Sequence, residues 1–167
     1  MSTQPAYTFV WLSPLGISVV LFLLYGGFYI LIGTLAPIMM NTETGRQVTV
    51  SSQAKDTALL GRPTADLLQA SPPLATLRTI LLSMIGGLLV TAGILEMAVT
   101  WFGLRQGQDW ALGALALAGA AVFPFWWLVF KPFRDAGIQV GLDWPPFMLI
   151  PTILLGPALV LAWIGLR

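Results

Sequence analysis

The stretch from Thr79 to Leu104 constrains this chain more than any other part of the sequence. It reads TILLSMIGGLLVTAGILEMAVTWFGL and contains one acidic residue, Glu96. About 20 consecutive apolar residues are enough for a helix to cross a bilayer, and this stretch exceeds that length. Inside a bilayer a helix satisfies its own backbone hydrogen bonds, so the stretch predicts a membrane-spanning helix.

Three further stretches are comparably apolar, which gives predicted spans at about residues 15–36, 79–104, 110–130 and 146–166. The chain is 57% hydrophobic and only 9% charged, with a mean hydropathy of +0.84. A soluble domain carries about 25% charged residues, so this chain has too little polar surface for a globule in water. We therefore expect an all-α, polytopic membrane protein with a single domain, built as a bundle of four transmembrane helices.

Composition also excludes several kinds of chemistry. The chain has no Cys and no His, which removes thiolate metal sites, cysteine nucleophiles and histidine ligands for haem or bacteriochlorophyll. Its net charge of +1 gives no basic footprint for nucleic acid. No catalytic motif is present, so we expect no enzyme, no metal site, no ligated cofactor and no nucleic-acid partner. A lipid, quinone or pigment held by packing alone stays open.

The segment 40–76 is the one sizeable polar stretch, an extramembrane connection of about 35 residues, and loops of that length are often functional. A short helix is predicted at Thr64–Ala70, with Thr64 as its N-cap and Pro72-Pro73 as its end. Residues Gln47 to Ser51 are strand-like in composition. Two interpretations stay open: an ordered loop lying on the end of the bundle, or a docking surface for a partner protein.

Glu96 is the polar group that most needs an explanation. A carboxylate at the centre of a membrane helix costs on the order of 2.5–3.5 kcal/mol. We expect a protonated Glu96 either to donate to the backbone carbonyl of Ile153, which Pro157 frees, or to pair with Tyr25. The alternative is that Glu96 acts as a proton relay or as the polar anchor of a ligand cavity.

Small and aromatic residues suggest how the spans are arranged. Small residues in the second span form two rows at helical spacing, which predict seams of close helix packing. The first row is Ser83, Gly87 and Thr91, and the second is Gly86, Leu89, Gly93, Glu96 and Thr100. Tryptophans near the ends of the predicted spans are typical of an interfacial belt: Trp11, Trp101, Trp126, Trp127 and Trp144. Pro124 is expected to kink the third span.

The stretch Gly103–Leu112, GLRQGQDWAL, follows the glycine-rich span as a tight turn before the next helix, with Asp109 placed to cap that helix. This short stretch, together with the number of spans, resembles small four-helix bacterial membrane proteins that are loosely DoxX-like. The polar segment before the second span is longer than that resemblance implies. The resemblance carries a fold expectation and no catalytic residue.

Two functions fit these observations. The first is a non-catalytic accessory or structural subunit of a larger membrane complex of respiratory or photosynthetic type. Such a subunit binds lipid and partner subunits through its helices and the 40–76 loop. The alternative is a protein that binds or transports a small molecule, a lipid or a quinone, through Glu96. We expect a bacterial inner-membrane location, and the positive-inside rule places both termini together on the outer side.

Overall fold

The computed structural model describes residues 9–139 and 146–167 and, in the last helix, the side chains from Ile153 onward. Within these ranges all regular secondary structure is helical, which confirms the all-α prediction. The α-helices are α1 (Pro14–Met39), α2 (Gln53–Leu60), α3 (Thr64–Ala70), α4 (Pro72–Phe102), α5 (Asp109–Asp135) and α6 (Pro146–Gly165). Two short 3-10 helices lie at Gly45–Gln47 and Leu104–Gln106.

Three helical stretches of the described chain are long and apolar enough to cross a membrane, whereas four were predicted. They are Pro14–Met39, Pro72–Gln106 and Asp109–Asp135. The fourth predicted span falls on α6, where the apolar helix among the fully described residues is the shorter stretch Ile153–Gly165. Length and composition thus support an integral membrane protein with three candidate spans.

Helix α1 packs closely against α4 through glycines. A Cβ added to Gly86 would overlap the carbonyl oxygen of Gly33, and one added to Gly93 would lie 2.5 Å from that of Gly26. On each helix the two glycines are one heptad apart, so both contacts fall on the same face of an antiparallel pair. Two backbones can approach this closely only where no side chain stands between them.

Helix α1 also packs against α6, through residues of its first half. Ser18 is fully buried and donates a hydrogen bond of 2.7 Å to the carbonyl oxygen of Ala158. Ala158 and Ala162 are buried, and a Cβ on Gly165 would overlap the backbone of Leu15. The best-packed core therefore surrounds the first half of α1. Its buried members are Leu15, Val19, Phe22, Tyr25, Leu104, Ala111, Leu115, Leu155, Ala158 and Ala162.

The segment between α1 and α4 is more ordered than its sequence predicts. Helix α3 has the predicted bounds, but Pro63 is its N-cap, and the hydroxyl of Thr64 instead shares a hydrogen bond of 3.0 Å with that of Thr49. Helix α2 was not predicted. The strand-like residues Gln47 to Ser51 form no strand in the described structure, because three of the backbone N–H groups there donate to the carboxylate of Asp56 instead of to a neighbouring strand.

Arg78 fastens this segment to α4. Its guanidinium donates hydrogen bonds of 2.9–3.0 Å to the carbonyl oxygens of Met40, Gly45 and Val48. These three carbonyls lie beyond the end of α1, where backbone acceptors would otherwise depend on water. The described chain thus favours the interpretation of residues 40–71 as an ordered cap on this end of the helices.

Several helix ends differ from the predicted ones. Helix α1 continues past Pro37 to Met39, and α4 begins at Pro72, since proline is tolerated in a first helical turn. Gln108 occupies the N-cap position of α5, so Asp109 is its first residue rather than its cap. Helix α5 runs without a break through Pro124 to Asp135, whose carboxylate pairs with Lys131 at 2.6 Å.

Candidate ligand cavity

A cavity of about 670 Å³ lies where α5 separates from α1 and α4. In its first half α5 packs closely through Ala111, Leu115 and Gly119, which are buried. In the half beyond Gly119, up to the buried Phe133, its residues are exposed or only partly buried. Because of this difference, an open space remains beside the glycine contacts between α1 and α4. Leu155 of α6 bounds this space on a fourth side.

The lining comes from three helix faces, each repeating at spacings of three and four residues. The residues that line the cavity are Tyr25, Phe28, Tyr29 and Ile32 of α1, Ile85, Leu89, Ala92, Leu95, Glu96 and Val99 of α4, and Ala114, Leu115, Ala118, Gly119, Val122, Phe123 and Trp126 of α5. The α4 face that carries Glu96 is adjacent to the face that carries Gly86 and Gly93. The glycines bring α1 close to one face of α4, and the neighbouring face is left to line the cavity.

The polar groups of the cavity come from Glu96 and two tyrosines. The hydroxyls of Tyr25 and Tyr29 are 3.1 Å apart and hydrogen-bonded, and their rings meet edge to face. Both tyrosines line the same cavity as Glu96. Glu96 is partly buried, and its carboxyl forms no hydrogen bond in the described part of the chain. Three hydrogen-bonding side chains therefore converge on an otherwise apolar cavity.

The two contacts predicted for Glu96 have different outcomes. Tyr25 lies beside the same cavity, as the sequence suggests, but it is hydrogen-bonded to Tyr29. The predicted hydrogen bond to the carbonyl of Ile153 is absent among the described residues. Pro157 is exposed and does not line the cavity, and Leu155 is the α6 residue that does. Tyr29 was missed, although two tyrosines four residues apart inside an apolar helix are a signal of a shared polar face.

The two predicted rows of small residues behave differently. Gly86 and Gly93 are buried against α1. Ser83, Gly87 and Thr91 are exposed, and a Cβ on Gly87 would have no neighbour within 4 Å. The hydroxyls of Ser83 and Thr91 bond to carbonyls of their own helix. The row of Ser83, Gly87 and Thr91 is therefore not a packing seam within the described chain.

The predicted belt tryptophans fall into three groups. Trp126 lines the cavity and stacks on Phe130, with 5.5 Å between ring centroids. Trp127 is exposed beneath the guanidinium of Arg134. Trp11 and Trp101 lie near each other at the opposite end of the helices, beside Arg105. Trp144 falls outside the described residues.

The size and lining of this cavity are those of a small-molecule site. Ligand pockets of about 300–1,000 Å³ with an apolar lining and a few converging polar groups are typical of small-molecule sites. Glu96 and the two tyrosines provide hydrogen-bond donors and acceptors, while Phe28, Phe123 and Trp126 provide flat aromatic surface. Among the described residues no cluster of His, Cys, Asp or Glu has the arrangement of a metal site.

Comparison with protein-family models, with curated proteins and with solved structures finds no match to this chain.

Proposed function

We propose that this chain is an integral membrane protein of four spans, with α6 as the fourth, and that it binds an amphiphilic small molecule, a lipid or a quinone, in the cavity between α1, α4 and α5. The observation that carries this proposal is Glu96, a carboxyl that lines an apolar cavity and is left without a hydrogen bond in the described chain. An intramembrane carboxyl without an internal partner is best explained by a ligand that supplies the missing hydrogen bond.

The shape of the cavity fits such a ligand. A volume of about 670 Å³ holds a polar ring or headgroup together with the first part of an apolar tail. The polar end would lie against Glu96, Tyr25 and Tyr29. The tail would follow the apolar residues of α4 and α5 towards Ile85 and Trp126, where the helices are farthest from a packed core. The ligand would enter sideways from the lipid, between α4 and α5.

Native mass spectrometry after gentle detergent extraction tests this function. Wild type is expected to carry a small molecule. Ala118→Trp should lose it because the indole fills the cavity, and Glu96→Leu should bind it about tenfold more weakly because the polar contacts are removed. Glu96→Gln keeps the ability to hydrogen-bond but cannot ionise. Retention of the small molecule in this variant indicates that Glu96 binds it through hydrogen bonds, and its loss indicates that the ionisable proton is needed.

Ala120→Trp is the matched control. Ala120 is exposed on α5 like Ala118, but it does not line the cavity. The ligand should stay bound in this variant. The proposal fails if wild type carries no small molecule, or if the two tryptophan variants retain it equally.

A second function is favoured by the exposed row Ser83, Gly87 and Thr91, which is free within the described chain to approach another transmembrane helix. We propose as this second candidate a non-catalytic subunit of a larger membrane complex, of respiratory or photosynthetic type, in the bacterial inner membrane. The positive-inside rule would place both termini of this subunit on the outer side of the membrane. Larger subunits would then be extracted together with this chain.

Gly87→Leu is expected to abolish that co-extraction, because it adds a bulky side chain to the row at a position where a Cβ has no neighbour within 4 Å in the described protein. Gly27→Leu is the control, since Gly27 also has open space around a Cβ but lies on α1. Complexes that survive Gly87→Leu, or that are lost in both variants, would remove the row as the docking face. Co-extracted subunits can be identified by mass from the same spectra.

A further inference from the structure

Arg105 lies in a cluster of aromatic side chains at the end of the helices farthest from residues 40–71. Its guanidinium carbon is 4.2 Å from the ring centroid of Trp101, 5.3 Å from that of Phe9 and 5.7 Å from that of Trp11. A guanidinium over the faces of aromatic rings is attracted by their negative faces and is held in one orientation. Arg105 therefore points in a fixed direction at this end of the protein.

The cluster is built from two separate parts of the chain. Trp101 lies in the last turn of α4, while Phe9 and Trp11 belong to the segment before α1. Phe9 and Trp11 meet edge to face at 4.9 Å, and Trp11 reaches Trp101 at 6.4 Å. The hydroxyl and the backbone N–H of Ser13 both donate to the carbonyl of Val10 and fix the turn before α1. The fold of this turn therefore positions Phe9 and Trp11 beside Arg105.

The guanidinium of Arg105 has no polar partner in the described chain. It forms no ion pair and no hydrogen bond there, and its Nε is buried without a partner. Residues 1–8 contain no Asp or Glu that could pair with Arg105. Three aromatic rings lie close to the guanidinium, while Arg105 as a residue stays partly exposed. An arginine presented in this way offers its donor edge to an anion.

We propose that Arg105 with Phe9, Trp11 and Trp101 forms a phosphate site, which takes the headgroup of an anionic phospholipid at this membrane surface. Tryptophan rings settle at the level of the headgroups, where lipid phosphates are the most abundant anions. The guanidinium fork matches two phosphate oxygens, which the single ammonium of lysine cannot do. This site is separate from the cavity and does not depend on what the cavity holds.

The test uses the full chain in mixed micelles that contain phosphatidylglycerol and, as a lipid without phosphate, diacylglycerol with identical acyl chains. Lipid adducts are counted by native mass spectrometry. Wild type should retain phosphatidylglycerol over diacylglycerol, and Arg105→Lys should reduce that preference by about tenfold because it keeps the charge but loses the paired hydrogen bonds to the phosphate. Arg105→Gln should abolish it. Inorganic phosphate is added in a parallel arm; displacement of the lipid identifies the free anion as the source, and no displacement identifies the lipid headgroup.

Arg167→Gln is the control. Like Arg105, Arg167 lies over a tryptophan, but only one ring is involved. Its guanidinium carbon is 3.6 Å from the ring centroid of Trp163. The Arg167→Gln protein should keep the preference for phosphatidylglycerol. An Arg105→Lys protein with the full wild-type preference would overturn the proposal, as would equal losses in the Arg105→Gln and Arg167→Gln proteins, which would indicate attraction by general surface charge. Circular dichroism confirms that each variant is folded.

Discussion

Gly86→Ala is expected to be strongly destabilising, whereas the same change one residue later, Gly87→Ala, is expected to be neutral or stabilising. The new methyl group at residue 86 would overlap the carbonyl oxygen of Gly33 and the ring of Pro37. The backbone of α1 cannot move aside as a flexible side chain would, so α1 and α4 would have to separate. Overpacking of this kind costs roughly 1–3 kcal/mol, and we expect the upper end here.

Gly87 gives the matched comparison, because a methyl group there meets nothing within 4 Å. Alanine is favoured over glycine inside a helix by roughly 0.5–1 kcal/mol. The adjacent glycines of α1 repeat the comparison. Gly26→Ala should be destabilising because its methyl would lie 2.9 Å from the carbonyl oxygen of Gly93, and Gly27→Ala should not.

Unfolding of the four alanine variants by sodium dodecyl sulfate, followed by circular dichroism, measures this effect. Gly86→Ala and Gly26→Ala should unfold at a lower detergent fraction than wild type, and their neighbours should not. Equal midpoints for Gly86→Ala and Gly87→Ala would show that α1 and α4 are not in close contact along this seam.

Asp56→Ala is expected to open the segment between α1 and α4 while leaving the long helices folded. The side chain is almost fully buried and accepts hydrogen bonds from the backbone N–H groups of Thr49, Val50 and Ser51, at 2.6–3.2 Å. Alanine would leave three donors without this acceptor. Hydrogen bonds to a charged group contribute about 1.5–3 kcal/mol each and are not additive, so a local loss on the order of 3 kcal/mol is expected.

Hydrogen–deuterium exchange checks this expectation residue by residue. A loss of that size should speed exchange of the three amides by roughly 100-fold, since about 1.4 kcal/mol corresponds to a factor of ten. Asp66→Ala is the control, because it removes the same charge from an exposed position in the same segment. Asp66→Ala should change the exchange rates of the three amides little. The stabilisation it removes is that of an acid in the first turn of a helix, about 0.3–1 kcal/mol. Similar exchange in both variants would contradict the role given to Asp56.

Sequence reasoning was most reliable for where helices form. A long apolar stretch with few charges satisfies its backbone hydrogen bonds in an apolar setting by forming a helix, so α1, α4 and α5 were predicted. The short helix Thr64–Ala70 was predicted from the prolines on either side of it. The first and last residues of the helices were predicted less well. Helix α4 begins seven residues before the apolar stretch, because prolines at its start extend the helix into the polar segment.

The three-dimensional contacts of the candidate site could be predicted only in part. Glu96 stood out because an acid inside an apolar helix is rare, and Tyr25 was predicted as one of its two possible partners. The cavity itself was not predicted, nor was the inward position of Trp126. Both depend on α5 leaving α4 beyond Gly119, and nothing local in the α5 sequence shows that separation.

The sequence alone determined the helical class, the apolar stretches and the rarity of polar groups within them. The tertiary structure decided which face of each helix points inward. In a soluble helix the polar and apolar faces differ, but in these helices nearly every face is apolar and gives no such signal. Gly86 and Gly87 are chemically identical neighbours, and only the position of α1 makes one a contact and the other an exposed surface. The same placement of α1 leaves Glu96 facing a cavity rather than a backbone carbonyl.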